Sequence, residues 1–333
     1  SDFEFVFICN KKWSIKKKRK LLDKLNKKFP YEISLKGYLA KKIKKNIISN
    51  YSNKHLGYIS TDFYDTFHEP DILYSKYNHI LNLNLNNHEI PTWEAWRLYV
   101  NRIGDILPLL LNTQIPRSLE NYYWLKLFES MGDSFLIVND LYKKNITDRK
   151  KIFSDRLISH SNLTEECKKS VDYIRMSFNS REKHDLSLFD LNNVDFKNRI
   201  KIAYSWLEYF EKKLIIDEKL EMGNISFINC YIHSKKLQRK YLEINNIFSI
   251  FISNGIRFMS NKKLPIKLLF STYSSRHIIL LTIRSFFKEF CDKGSKYKKS
   301  KKILKYVSNK KEINNISESE LLHSISVLWK KIR

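Results

Sequence analysis

The chain has 333 residues and carries 61 Lys and Arg against 35 Asp and Glu, a formal net charge of +26; an excess of that size points to a polyanionic partner (RNA, DNA or an anionic membrane) that neutralises it and releases counterions on binding. With 43% hydrophobic and 14% aromatic residues it can bury enough surface to fold, which excludes a disordered basic tail. No apolar run approaches the ~20 residues that span a bilayer, and 7 glycines and 6 prolines leave little room for Gly-rich phosphate loops or Pro-rich linkers.

In chain order, Phe3 to Cys9 is too short, too aromatic and too β-branched for a helix and reads as a buried strand, with Glu4 its one charged residue. Lys and Arg then dominate through Lys28, where Trp13, Ile15, Leu21, Leu22 and Leu25 supply a helical apolar stripe under a cationic face. A second basic helix is expected from Leu35 to Ile48, and a short strand over Gly57 to Thr61. Pro91 opens a helix whose apolar spacing continues towards Leu111, with Pro108 expected to kink or break it. Ser118 to Met131 is a further helix, and Ser134 to Val138 fits a strand or a helix equally.

Asp148 to His160, Leu163 to Phe178 and Val194 to Lys213 read as amphipathic helices, the second capped by Asn162 or Thr164. Ile225 to Ile232, Ile247 to Ile252 and Leu264 to Phe270 are rich in Ile, Phe and Leu and read as strands. Ser274 and Ser275 offer a cap for a long helix from Arg276 to Phe290, and a lysine-dense stretch, Lys293 to Lys311, precedes a terminal helix from Ser317. The expected fold is therefore α+β: helix-dominated, with an antiparallel or mixed sheet built mainly by the N-terminal strand and the C-terminal strands, and not a common superfold. The expected organisation is a mostly helical region over 1–178, a polar linker over 179–193 and an α+β region over 195–333, or one interleaved domain. Beginning at Ser1 with no signal-peptide pattern, the sequence is expected to have lost any targeting segment.

Cys9, Cys167, Cys230 and Cys291 are dispersed, with no paired spacing and no His at zinc-finger distance, so neither a metal nor a cofactor is expected. Nucleotide-binding, zinc-protease and serine-hydrolase signatures are absent. What remains is chemistry that needs only a base, an acid and cations, and RNA cleavage by the 2′-hydroxyl of the substrate itself is such a reaction. Glu4 suits the base, because a carboxylate in an apolar strand must be paired, protonated or functional; the bland reading is an edge-strand Glu in water. His277 suits the acid, because it falls in the first turn of the Arg276 helix, where amides and the helix dipole favour an anion; the bland reading is a surface His. Arg276 and Arg284 are the candidates for stabilising phosphorane charge. Lys12, Trp13, Lys16, Lys17 and Tyr273 are the candidate RNA contacts, cations for phosphates and aromatics for bases.

Glu4 in an N-terminal aromatic strand, His277 in Ser-Ser-Arg-His, and a Lys, Asn and Ile bias typical of AT-rich coding together resemble the nuclease subunits of fungal killer toxins encoded on linear plasmids. The resemblance implies a metal-independent anticodon nuclease that leaves 2′,3′-cyclic phosphate and 5′-hydroxyl ends on tRNA, with Glu4 and His277 in the acid–base roles. It also implies a secreted toxin subunit, disulfide-linked to a carrier subunit, neutralised by an immunity protein in the producer and acting in the cytoplasm or nucleus of a target cell. The alternative from another class is a non-catalytic RNA-binding protein, such as a mitochondrial ribosomal or RNA-processing factor. A DNA-binding or transcription factor, preferring duplex DNA, is a third.

Overall fold

The computed structural model describes residues 3–9, 14–28, 33–39, 90–111, 115–157, 163–191, 194–217, 275–292, 297–305 and 315–332. The chain divides into two compact units, 1–90 and 91–333. The boundary therefore falls near Ile90 and not in the polar 179–193 stretch. That stretch looked like a linker by composition, but its few apolar residues are anchors: Phe189 and Leu191 are buried, and the Leu191 carbonyl accepts from Arg199.

The first unit contains a β–α–β arrangement. Strand β1 (Phe3–Cys9) is followed by helix α1 (Ile15–Lys28) and strand β2 (Ile33–Leu39). The strands pair in parallel, Phe3 opposite Ile33 through Cys9 opposite Leu39. A parallel neighbour requires a crossover that carries the chain back, and α1, lying against β2, is that crossover. Ser14 starts α1, its hydroxyl accepting from the Lys17 amide at 3.2 Å.

This corrects two expectations. The segment read as a basic helix from Leu35 begins as β2, because Ile33, Leu35 and Leu39 alternate with Ser34, Lys36 and Tyr38 at the strand period of two. The sheet expected to join the N-terminal strand to C-terminal strands is also overturned: β1 pairs with the strand nearest to it in sequence, a low-cost closure. In the second unit the described residues form helices only. The segments read as strands at 57–61, 225–232, 247–252 and 264–270 lie outside the described residues.

The second unit is a helical assembly: α2 (Thr92–Ile106) with a 3-10 turn (Leu107–Leu111), α3 (Arg117–Val138), α4 (Ile146–Leu157), α5 (Glu165–Lys169), α6 (Val171–Glu182), α7 (Phe196–Asp217), α8 (Ser275–Asp292), α9 (Lys298–Leu304) and α10 (Glu318–Ile332). Pro108 ends α2 in the tighter turn, as its missing amide requires. Ser134 to Val138 extends α3 as helix. Leu163 to Phe178 is interrupted at Ser170, whose hydroxyl donates to the Cys167 carbonyl and accepts from Trp206 Nε1; Thr164, not Asn162, caps it.

The core lies where α2, α3 and α7 meet. Trp96, Tyr99, Trp124, Phe128, Phe135, Trp206 and Phe210 are fully buried, and the Tyr99 hydroxyl donates to the Ala203 carbonyl at 2.7 Å. Aromatic rings there meet edge to face, as between Phe135 and Trp206. Two glycines permit close helix approach. A Cβ at Gly132 would fall 2.5 Å from Phe178, and one at Gly104 would fall 2.9 Å from Trp329.

Candidate functional site

The residues proposed for acid–base chemistry are distributed over both units. Glu4 belongs to the first unit, second residue of β1 and opposite Ser34. Arg276 and His277 belong to the second, in the first turn of α8. That turn contains no acidic residue, so the partial positive charge of the helix start is not neutralised within it. Lys12, Trp13 and Tyr273 lie outside the described residues.

Arg284, two turns beyond His277, has a different task from the one its spacing suggested. It is 8% exposed, and its guanidinium grips Glu211 of α7 in a fork, Nε to Oε1 at 2.7 Å and Nη2 to Oε2 at 2.8 Å. Lys288 adds a third donor to Glu211 at 3.4 Å and reaches Glu208 at 3.7 Å. Beside them the Tyr204 hydroxyl donates to Asp292 at 2.7 Å, and burial first, then that bond, pushes its pKa well up. This chain of charges ties α7 to α8. A phosphate could recruit Arg284 only by displacing a buried carboxylate, so the spacing argument that linked it to His277 is corrected: the side chain is turned into the α7 interface.

Comparison with known proteins finds no matching family model, no matching curated protein and no matching solved structure. The chemistry rests on the chain's own residues.

On α1 the expected cationic face is in place. Lys16, Lys17, Arg19, Lys20, Lys24, Lys27 and Lys28 are exposed, while Leu21, Leu22 and Leu25 are partly covered. The sole carboxylate on the helix is Asp23. Helix α9 carries a second, shorter group: Lys298, Lys299 and Lys302 are exposed, and Lys301 turns inward to donate to the Ile316 carbonyl.

A charged network that sequence reading missed runs along α3. Lys126, Glu129 and Asp133 recur every three or four residues on one side of the helix. Glu129 accepts from Lys126 and from Arg181 of α6, each at 3.2 Å; Asp133 accepts from Arg149 of α4 at 2.8 Å. Burial pushes the Glu129 carboxyl up, but Lys126, Arg181, Arg149 and Arg102 more than offset it and hold it at about 2. Burial raises Asp133 to about 6, with Arg149 pulling against it and Glu129 adding to it. The signal was present in the sequence: charges at helical spacing inside an otherwise apolar helix.

Two thiols are described. Cys167 is buried and Cys291 partly so, and burial, the leading cause in both, pushes their pKa values up to about 11 and about 12. Neither is an activated nucleophile. Among the described residues no group of three or more His, Cys, Asp or Glu is placed to hold a metal ion, and no helix is long and apolar enough to cross a membrane.

Proposed function

We propose that this chain is an RNA endonuclease that cleaves a tRNA anticodon loop without a metal, in the manner of the killer-toxin nucleases it resembles. The observation that carries the reading is the charge excess of +26 together with where the carboxylates go. In the second unit Glu94, Asp105, Glu120, Glu129, Asp133 and Glu211 are taken up by arginines of the same unit. On α1, in the first unit, seven exposed Lys and Arg stand against the single carboxylate Asp23, an excess that a polyphosphate would balance.

In the proposed reaction Glu4 takes the proton from the 2′-hydroxyl, which attacks the adjacent phosphorus. His277 protonates the 5′-oxygen that leaves, and Arg276, beside His277 in sequence, is assigned to stabilise the charge gathering on the phosphoryl oxygens. The substrate supplies its own nucleophile, so no reactive Ser or Cys is required. The products are a 2′,3′-cyclic phosphate and a 5′-hydroxyl.

The same reading places the protein as a secreted toxin subunit with a disulfide-linked carrier and an immunity protein. Cys167, 0% exposed, is closed to such a link, which leaves Cys9, Cys230 and Cys291. A second reading, a non-catalytic RNA-binding protein, is favoured by one observation: Arg284, a candidate transition-state cation, is held by Glu211. Incubation with total tRNA in EDTA, followed by end-group analysis, separates the two. Cyclic phosphate ends that vanish in Glu4→Gln and in His277→Ala support the nuclease; retained RNA affinity with intact tRNA supports the binder.

A further inference from the structure

We infer that the solvent side of α1 is a docking surface for the phosphate backbone of RNA, contributing affinity without sequence selection. The inference deepens the RNA reading above and rests on it. Lys16, Lys20, Lys24 and Lys27 lie on one side of a 14-residue helix, and all four are exposed. At about 1.5 Å per residue they form a row with steps of about 6 Å or a little less, on a helix about 21 Å long. A row of cations at that pitch tracks successive phosphates of one strand.

The opposite side of α1 decides between RNA and membrane. A helix that lies in a membrane surface must insert an apolar face among the lipids. Leu21, Leu22 and Leu25 are partly covered and α1 lies against β2, so its apolar side already has a protein partner. Asp23 and Asn26 are exposed as well, Asp23 beside the lysine row, but seven exposed cations outweigh that one carboxylate. Lysine ammonium groups on mobile stems contact phosphates as point charges and read no base edge, so this surface sets affinity and its salt dependence while base selection belongs elsewhere.

The test uses the full chain with Lys16, Lys20, Lys24 and Lys27 replaced by Gln, which keeps helix propensity close to that of Lys. The probes are a 2′-O-methyl anticodon stem-loop, which lacks the attacking hydroxyl, and a scrambled oligonucleotide of equal length. Affinity is read by fluorescence anisotropy across a salt series in EDTA. Four lost phosphate contacts should make the slope of log K against log salt shallower by about 3 and weaken binding about a hundredfold at 0.15 M salt, equally on both probes. The matching four-site Lys→Arg variant should keep the wild-type slope. Should the Gln variant lose helix content by circular dichroism, Lys20→Gln and Lys24→Gln alone, each expected to remove about 0.7 to 0.9 from the slope, decide the matter. An unchanged slope overturns the inference while the RNA reading stands, as does a loss confined to one probe, or loss of binding to phosphatidylserine vesicles with RNA binding intact. Wild-type protein that binds neither probe overturns both.

Discussion

Arg284 provides a sharp test of how the second unit uses its charges. If the guanidinium serves Glu211 and not the substrate, Arg284→Leu should damage stability before it damages chemistry. Both partners are nearly excluded from water, 8% and 5% exposed, and joined by two bonds of 2.7 and 2.8 Å. Removing one member of such a pair leaves a buried charge poorly compensated and costs about 3–5 kcal/mol. Lys288, already 3.4 Å from Glu211, remains as a partner, so Arg284→Leu should fall at the lower end. Glu211→Leu, which deprives Arg284 of both carboxylate bonds, should fall at the upper end. At about 2–4 °C per kcal/mol for a unit of this size, the expected losses in melting temperature are about 6–12 °C and 10–20 °C. The double variant replaces the pair with apolar side chains and should recover most of the loss, because an ion pair and its hydrophobic substitute differ little overall. Thermal unfolding followed by circular dichroism measures all four corners of the cycle, and cleavage is assayed well below the lowest midpoint. Arg284→Leu with an unchanged midpoint and no cleavage would falsify the structural assignment and return Arg284 to the reaction.

Three further outcomes are expected. Gly132→Ala should destabilise by about 1–3 kcal/mol in urea unfolding despite the better helix propensity of Ala, because the new methyl meets the buried Phe178 ring and Ile174 at 2.5–2.8 Å. Asp133 has its carboxyl raised to about 6, so its contribution to stability is full below pH 4 and is lost as pH rises through 6, whereas Glu129, held at about 2, contributes above pH 4.5 and loses that contribution as pH falls towards 2. Stability measured from pH 4 to 7 should therefore fall in the wild type and fall less in Asp133→Asn. Ser317→Ala should cost about 1 kcal/mol, since Ser317 and Glu320 cap α10 reciprocally, the hydroxyl accepting from the Glu320 amide and the Glu320 carboxylate from the Ser317 amide; Ser317→Asp, which can still cap, should retain stability.

Helices with strong periodicity or a cap were legible in the sequence. The helices predicted at 118–131, 194–213 and 276–290 are found as α3, α7 and α8 with shifted ends, because apolar spacing and caps act locally. Partner choice was not legible. β1 was recognised as a strand from its own residues, but nothing in Phe3 to Cys9 names its neighbour, and Ile33 to Leu39 carries a lysine and a glycine that lower its strand signal until the parallel register is seen. Arg284 failed for a related reason: its distance from His277 along the helix is fixed by sequence, but the direction of its side chain is decided by Glu211, 73 residues away.

Among the described residues arginine carries much of the internal ion pairing of the second unit. Arg97, Arg102, Arg149, Arg175, Arg181, Arg199 and Arg284 all make internal ion pairs, several of them bridging two helices. The planar, weakly hydrated guanidinium suits that role, since it can satisfy a carboxylate with two bonds at low desolvation cost. Lysine is strongly hydrated and loses more on burial, and on α1 it is left in water. Lysine pairs as well, Lys126 with Glu129, Lys150 with Glu182 and Lys288 with Glu211, but along α1 the described lysine side chains stay exposed. A ligand recognised by such a surface must be anionic, extended and tolerant of mobile point charges, and an RNA backbone meets all three conditions.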